Sequence, residues 1–586
     1  MALDRRLVRN LLLMGGIVAV YAILATFITN SYYQLMLTLV PVWAMFALAW
    51  NLFSGYSGLL SFGHATFFGI GAYTVALSAS MLGISPWISI PIGACIGAVA
   101  GLGIGLISFR LRGHYFALAM LAYPLAILYV LEYLRLSEVV FPIQRTAPAA
   151  HMQFTDPRMY TYLALALAAV TFVLCAFIER SVFGFSLRAA GENEAAAEAS
   201  GINTFSVRLR AFVLSAGLAA FAGGFYAVVL LIVTPHAVFG MLVSAQPMIL
   251  TMFGGMGTIW GPVIGAAVLV PLSETLRAEF GSILPGIQGI VYGATIILVV
   301  MLAPQGVFWS IRERLTRRAP APVAAEAAVV APAVMETRPP VGKVLLQGSG
   351  LSRSFGGLRA VSEVSFSVRE GEILGIIGPN GAGKTTLFNM LSGLITPTAG
   401  ELAFEGRSIQ GLRPNAICRA GIGRTFQVAR SFPRMTLLEN VTVGAYNVTK
   451  DKAEAEKAGR AALEKVGLPH RLDAAVSELT NKELRLMELA RAIAGQPKLV
   501  LMDEPLAGLG RTESEEFLQL LKTLSSTGLT IVIIEHTMHV MVRLVDRLIV
   551  LDHGKLIAEG APDEVLNQPE VTEAYLGKKW NRHANA

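Results

Sequence analysis

Nine apolar runs crowd the first 303 residues, at about 11–28, 34–52, 65–82, 86–108, 115–131, 160–178, 210–233, 246–272 and 283–303. Most approach the roughly 20 residues that an α-helix needs to cross a bilayer. Lipid offers no hydrogen-bond partner, so a spanning segment must satisfy its own backbone, and a run of this length does so as a helix. The N-terminal half therefore reads as a polytopic α-helical membrane domain. Arg5, Arg6 and Arg9, then Arg110 and Arg112, then Arg180, Arg188, Arg208 and Arg210 fall on one side if the first seven runs cross. The cluster Arg312 to Arg318 ends the series and belongs on that cytoplasmic side too. Nine simple crossings would place it on the opposite face, so one run is not a simple crossing. The basic N-terminus imitates a signal peptide, but no small-residue cleavage site follows, and the first helix is read as retained.

Glycine marks where the crossings are interrupted. Gly254-Gly255-Met256-Gly257-Thr258-Ile259-Trp260-Gly261-Pro262 breaks the eighth run, and Gly55-Tyr56-Ser57-Gly58 to Gly63-His64 separates the second from the third. Interrupted helices in both halves of a membrane domain point to a transport pathway. Close helix packing through small residues explains the same glycines equally well. On the first reading, 246–272 holds a re-entrant or half-helix element. His64 reads as a hydrogen-bonded structural histidine, and Glu132, near a helix end, as reaching the interface.

Between the sixth and seventh runs, residues 192–199 are strong helix formers with Gly201 as their stop. A short polar helix on the cytoplasmic side of a membrane domain suits docking onto a motor. Residues 316–343 follow the last run, with Pro320, Pro322, Pro332, Pro339 and Pro340 among alanine and valine. Such a stretch builds no core and reads as a semi-extended tether. Charged residues are only 15% of the 586, against about 25% in a soluble domain, as expected of a membrane half joined to a soluble one. The net charge of +7 fits an anionic leaflet. No basic stripe interleaved with aromatics appears, so no nucleic-acid partner is expected. Cys95, Cys175 and Cys418 are too far apart for a disulfide framework or metal spacing.

The soluble half is organised around Gly378-Pro379-Asn380-Gly381-Ala382-Gly383-Lys384-Thr385-Thr386. This G-x-x-x-x-G-K-[ST] motif follows the apolar run 372–377 and precedes a helical pattern, the strand–turn–helix context it requires. Successive N–H groups and the helix dipole bind phosphates there. Lys384 is placed to reach the β- and γ-phosphates and Thr385 to hold Mg²⁺. The expected ligands are thus ATP and Mg²⁺. The apolar strand Leu499–Met502 ends in Asp503 and Glu504. Asp503 would hold the metal shell, and Glu504 would orient or deprotonate water. After a second strand, 530–534, His536 is placed at the γ-phosphate. Gln427 would touch Mg²⁺ and the attacking water, and Phe355 would stack on the adenine.

The membrane half resembles the permease of high-affinity branched-chain amino acid ABC importers. The resemblance rests on AWNLFSGYSGLLSFGHATFFGIGAYTVAL (49–77), SVFGFSLRAAGENEAAAEASGIN (181–203), FGGMGTIWGPVIGAAV (253–268) and APQGVF (303–308). It implies a coupling loop at about 187–203 that seats in a cleft of an ATPase subunit. The soluble half resembles the ATPase of the same subgroup through SFGGLRAVSEVSFSV (354–368), GPNGAGKTTLFN (378–389), GIGRTFQ (421–427), DEPLAGL (503–509), IEHTM (534–538) and VTEAYLG (571–577). The fold class expected is a Gly-broken importer-type permease followed by an α/β ABC ATPase. The divisions are 1–315 permease, 316–343 linker, 344–580 ATP-binding domain and 581–586 tail.

The resemblance implies a subunit of the bacterial inner membrane, ATPase domain cytoplasmic, working with a second permease and ATPase subunit or a second copy of itself. It also implies an extracytoplasmic solute-binding protein. Three places depart from the family pattern. Residues 138–154 replace a Gly-rich stretch facing outside, which leaves amides, urea or aromatic acids as alternative substrates. The signature reads Leu479-Thr480-Asn481-Lys482-Glu483 where the family has L-S-G-G-Q. Gly510 stands where Asp or Asn is usual. Thr480 and Glu483 still form the pattern of a capping box, but both glycines that let this stretch close over a partner's nucleotide are gone. An exporter half-molecule shares the order of the two halves, yet would need long cytoplasmic stalks that these short loops do not supply.

Overall fold

The computed structural model describes residues 5–111, 113–144, 147–280, 282, 286–302, 306, 309 and 341–576. The Arg312–Arg318 cluster, nearly all of the Pro-rich tether and the 581–586 tail lie outside the described residues. The chain separates into two compact units, Met1–Gly191 with Phe205–Ala324, and Glu192–Thr204 with Ala325–Ala586.

The first unit is helical. Its elements are α1 (Arg5–Phe27), α2 (Ser31–Trp50), α3 (His64–Leu82), α4 (Pro86–Ser108), α5 (His114–Tyr133), α6 (Arg158–Arg180) and α7 (Val182–Glu192). After α8 (Glu194–Ala199), which belongs to the second unit, come α9 (Thr204–Leu230), α10 (Pro235–Phe239), α11 (Met241–Gly254), α12 (Trp260–Phe280) and α13 (Ile287–Leu302). Among the described residues, eight segments are long and apolar enough to cross a membrane. Two-residue strands β1 (Val139–Val140) and β2 (Ile232–Val233) pair antiparallel. From Thr38 onward α2 is wholly buried, with Trp43 stacked on Phe68 at 5.7 Å and Phe46 on the same ring at 4.5 Å. By contrast α1 exposes Leu12, Leu13, Val20 and Leu24, the pattern of a helix with lipid on one side.

Both glycine-marked breaks are present. The first is a π-helix, Asn51–Gly55, at the end of α2, followed by a turn that leads to α3. Buried His64 opens α3, with Nδ1 2.9 Å from Ser61 Oγ and Nε2 2.7 Å from Ser215 Oγ. Ser215 gives its own proton to Ala49 O at 2.6 Å, so His64 Nε2 is the donor to Ser215. The second break makes a hairpin of the eighth run. Helix α11 ends at Gly254, Gly255 takes φ +128, and α12 starts at Trp260. A Cβ on Gly254 would stand 1.8 Å from Gly261 O, and one on Gly265 1.8 Å from Leu250 O. The two helices thus run antiparallel with backbones nearly touching, and small-residue packing and an interrupted helix hold together at the same glycines.

In the second unit a four-stranded antiparallel sheet holds β3 (Val344–Phe355), β4 (Leu358–Arg369), β6 (Ala399–Phe404) and β7 (Arg407–Ser408), in the order β4-β3-β6-β7. A six-stranded sheet contains β5 (Ile373–Ile377), β8 (Ile422–Arg424), β9 (Leu499–Asp503), β10 (Thr530–Ile534), β11 (Arg547–Asp552) and β12 (Lys555–Gly560). Its order is β12-β11-β5-β10-β9-β8. All but β12 run parallel, and β5, β9 and β10 are buried along their whole length, as parallel strands covered on both faces are. Ile534 lies opposite both Ile376 and Asp503. The phosphate loop, Glu504 and His536 therefore leave the sheet at one edge, the carboxyl ends of its strands.

Candidate nucleotide and coupling site

The loop from Gly378 to Gly383 ends in the helix Lys384–Leu391, for which Gly383 (φ +97) is the entry residue. A Cβ there would meet Ala360 O at 2.3 Å, so the tight turn requires glycine. Asn380, Gly381 and Thr385 face solvent, Pro379 and Thr386 are half-buried, and Ala382 and Lys384 are buried. Lys384 Nζ donates to Gly378 O at 2.7 Å and Pro379 O at 3.0 Å. Burial holds its pKa below the usual lysine range, against the pull of Glu504 and Asp503.

Glu504 is the hub of the cluster. Its backbone is held at φ +48, a costly conformation for a non-glycine residue and one that gathers at functional sites. One carboxylate oxygen lies 2.6 Å from His536 Nε2, and the other accepts from Gln427 Nε2 at 2.9 Å. Buried Asp503 is displaced upward by burial, with Arg424 opposing. Its Oδ2 is 3.9 Å from Arg424 Nη2, and its Oδ1 is buried without a hydrogen-bond partner. Glu535 accepts from Leu506 N at 2.9 Å and from His536 N at 3.2 Å, fixing the loop that carries the histidine. The structure thus brings Lys384, Gln427, Asp503, Glu504 and His536 together. Phe355 stands outside this hydrogen-bond network, exposed at the end of β3 with the Arg353 guanidinium 4.8 Å from its ring.

The orphaned Asp503 oxygen, the exposed Thr385 hydroxyl and the Gln427 amide are oxygen donors suited to a hard divalent cation. Among the described residues no group of three His, Cys, Asp or Glu forms a metal cage.

Two residues without an assigned role organise the site. Arg424 donates to Asn389 Oδ1 at 2.8 Å and to Ser392 Oγ, tying the helix after the phosphate loop to Asp503. Arg485, buried on the helix Asn481–Ala494, donates to Phe426 O at 2.9 Å, Gln427 O at 2.5 Å and Ala507 O at 3.3 Å. It fixes the peptide that presents Gln427. The sequence signal for them is faint: Arg424 lies within GIGRTFQ (421–427), and Arg485 follows the altered signature by two residues.

The altered signature is ordered by its own chain. Thr480 and Glu483 form the expected capping box. Asn481 Nδ2 donates to Gly508 O at 2.9 Å, and Lys482 pairs with Glu516. Both side chains that replace glycine are thus bonded within their own chain, at the surface.

The segment Glu192–Thr204 packs within this unit. Asn193 caps α8, and Arg434 N donates to the Glu192 carboxylate at 3.0 Å. Ala195 and Ala199 line a crevice with Ile417, Arg424 and Phe426. Gly201 lies so close to Asn447 that a Cβ would be 2.8 Å from its Oδ1.

Comparison with known proteins agrees with this anatomy. A family model described as "Branched-chain amino acid transport system / permease component" matches residues 32–300. One described as "ABC transporter" matches 361–507, and "Branched-chain amino acid ATP-binding cassette transporter" matches 555–580. The high-affinity branched-chain amino acid transport ATP-binding protein LivG of Salmonella typhimurium is 40% identical over 250 residues, 40% of this chain and 98% of the relative. LivG of Escherichia coli K12 is 38% identical over the same shares. BraF of Pseudomonas aeruginosa is 35% identical over 254 residues, 41% of this chain and 100% of its own length.

Proposed function

Because the chain belongs to the branched-chain amino acid ABC transporter family, with the permease and ATP-binding components in one polypeptide, we propose that it is the ATP-driven import subunit for branched-chain amino acids in a bacterial inner membrane. The observation that carries this reading is the set Gln427–Glu504–His536, hydrogen-bonded beside Lys384 in a chain whose N-terminal half is a permease. We place the permease at 1–315, the tether at 316–343, the ATPase at 344–580 and a tail at 581–586, with the ATPase cytoplasmic.

ATP binds with its phosphates on the amides of Gly378–Thr386, and Phe355 stacks on the adenine. Lys384 leaves the carbonyls of Gly378 and Pro379 to reach the phosphate chain. Thr385, Asp503 and Gln427 would hold Mg²⁺, which would supply charge neutralisation for the phosphates. Glu504 orients a water in line with the γ-phosphate and takes its proton, while His536 contacts the γ-phosphate and Gln427 keeps the carboxylate aimed. Closure of two such motors, in a partner ATPase or a second copy, moves the segment Glu192–Thr204. An extracytoplasmic binding protein delivers the solute.

The composite sites are unequal. This chain's phosphate loop, Glu504 and His536 work with a partner's signature. Its own signature, with Asn481 and Lys482 bonded to Gly508 and Glu516 of the same chain, makes the opposite site slow or binding-only. Equal loss of turnover from Glu504→Gln and from the partner's equivalent substitution would contradict that asymmetry. The altered stretch 138–154 favours a second substrate reading within the same family, amides, urea or aromatic acids. Competition of leucine, an aliphatic amide, urea and benzoate for binding-protein-stimulated ATPase decides between them. Leucine alone should stimulate; stimulation by another of the four instead overturns the first choice.

A further inference from the structure

Asn51 is a buried polar residue of the membrane unit to which the transport reading assigns no task. It is 1% exposed and begins the π-helix Asn51–Gly55, where α2 leaves the α-helical pattern. Its amide grips one stretch of backbone far away in sequence. Nδ2 donates to Thr258 O at 2.9 Å, and Gly257 N donates to Oδ1 at 3.0 Å. A primary amide can give and accept at once, so it pairs with peptide groups as another peptide would. The first helix break is thereby hydrogen-bonded to the second, the turn of the α11–α12 hairpin.

The other side of the first break is equally tight. A Cβ on Gly191 would stand 2.2 Å from Tyr56 O, and one on Gly58 2.9 Å from Gly191 O. Backbone meets backbone there, with no side chain between to absorb a displacement. Gly191 is joined by a peptide bond to Glu192, the first residue of the segment that packs in the ATPase unit. Between Gly191 and Asn51 lies the π-helix itself. Single π turns are inserted in α-helices and occur often at functional sites. Coupling between distant sites requires an element with two arrangements, and a π-helical stretch that reverts to the α pattern would be one.

We propose that Asn51 is a positioning residue that joins the two helix breaks into one moving part, and that displacement of the docked segment enters this part at the Gly191–Tyr56 contact. The inference rests on the transporter reading, because ATP supplies the displacement. When Glu192–Thr204 shifts, Gly191 shifts with it, Tyr56–Gly58 follows, and Asn51 carries the change to Gly257 and Thr258. Were Asn51 there only to satisfy two backbone groups, it would matter to stability and not to the response.

Amide hydrogen exchange across 252–262 tests this in the full chain, held in lipid nanodiscs with the subunits that co-purify. It is recorded with and without a non-hydrolysable ATP analogue and Mg²⁺. In the native chain the nucleotide should change exchange by roughly threefold or more, as a local opening equilibrium responds. Asn51→Ala should raise basal exchange at Gly257 and abolish the nucleotide-dependent change. Gly191→Ala, whose methyl group would push Tyr56 O aside, should leave nucleotide affinity near native, shift basal exchange across 252–262 and abolish the nucleotide-dependent change. Should Asn51→Ala not fold, Asn51→Asp, which accepts from Gly257 but cannot donate to Thr258, takes its place. A native-sized response in both variants, or none in the native chain, overturns the proposal. Loss in one variant alone removes the other residue's part in it. Uptake of tritiated leucine, measured separately, keeps the substrate assignment apart. If leucine fails while the exchange response stands, only the solute is wrong.

Discussion

Replacing Arg485 by methionine keeps most of its apolar stem and removes every donor. The guanidinium holds Phe426 O at 2.9 Å and Gln427 O at 2.5 Å, with a longer contact to Ala507 O at 3.3 Å. Hydrogen bonds from a charged donor contribute about 1.5–3 kcal/mol each, so the two short ones together hold the Gln427 peptide with about 3–6 kcal/mol. Taking about 3 kcal/mol as the cost of restoring that peptide before each turnover, the rate falls roughly 100-fold. None of these bonds touches the phosphate loop, so ATP affinity should change by less than about threefold. Arg485→Lys keeps one donor direction and should fall between. Steady-state hydrolysis gives the turnover, and equilibrium binding of a fluorescent ATP analogue gives the affinity. Weakened binding with turnover intact, or no change in either, would refute this account of Arg485.

Other perturbations have equally direct outcomes. Glu504→Gln should retain ATP binding and lower hydrolysis by about 100-fold or more, the usual weight of a general base, in a phosphate-release assay. Lys384→Ala should weaken ATP binding at least tenfold by removing a charged contact to phosphate, which calorimetry would show as a loss of about 1.4 kcal/mol or more. Gly265→Ala forces a methyl group to 1.8 Å from Leu250 O; parting α11 from α12 should cost about 1–3 kcal/mol, seen as a lowered melting temperature of the membrane unit. Burial tends to raise the pKa of Glu483, but the Thr480 N–H and Arg471 outweigh it and hold it below 4.5. Its contribution is therefore full above that value and lost as pH falls through the folded-state pKa, so Glu483→Gln should flatten the acid side of the stability profile.

Local patterns carried most of the architecture. Apolar run length announced the membrane helices, and the phosphate loop, the acids after Leu499–Met502 and His536 fell at strand ends because parallel register puts those ends side by side. The glycines at 254–257 located the break in the eighth run. Close packing and interruption were alternatives in the sequence because each needs small residues; the hairpin uses them for both. Asn51, Arg424 and Arg485 were not legible as organising residues. Their partners are carbonyls, an amide N–H and side chains brought near only by tertiary folding, as in the 206-residue separation of Asn51 from Gly257. The same-chain bonds of Asn481 and Lys482 were hidden for the same reason, since their acceptors at Gly508 and Glu516 lie 27 and 34 residues on.

The most direct test of the whole account is leucine accumulation in liposomes that hold the assembled transporter, with binding protein and solute outside and ATP inside. Uptake against a gradient that requires enclosed ATP and disappears with Glu504→Gln is the predicted result. ATP hydrolysis without net inward movement of leucine, an amide, urea or an aromatic acid, or net movement outward, would contradict it.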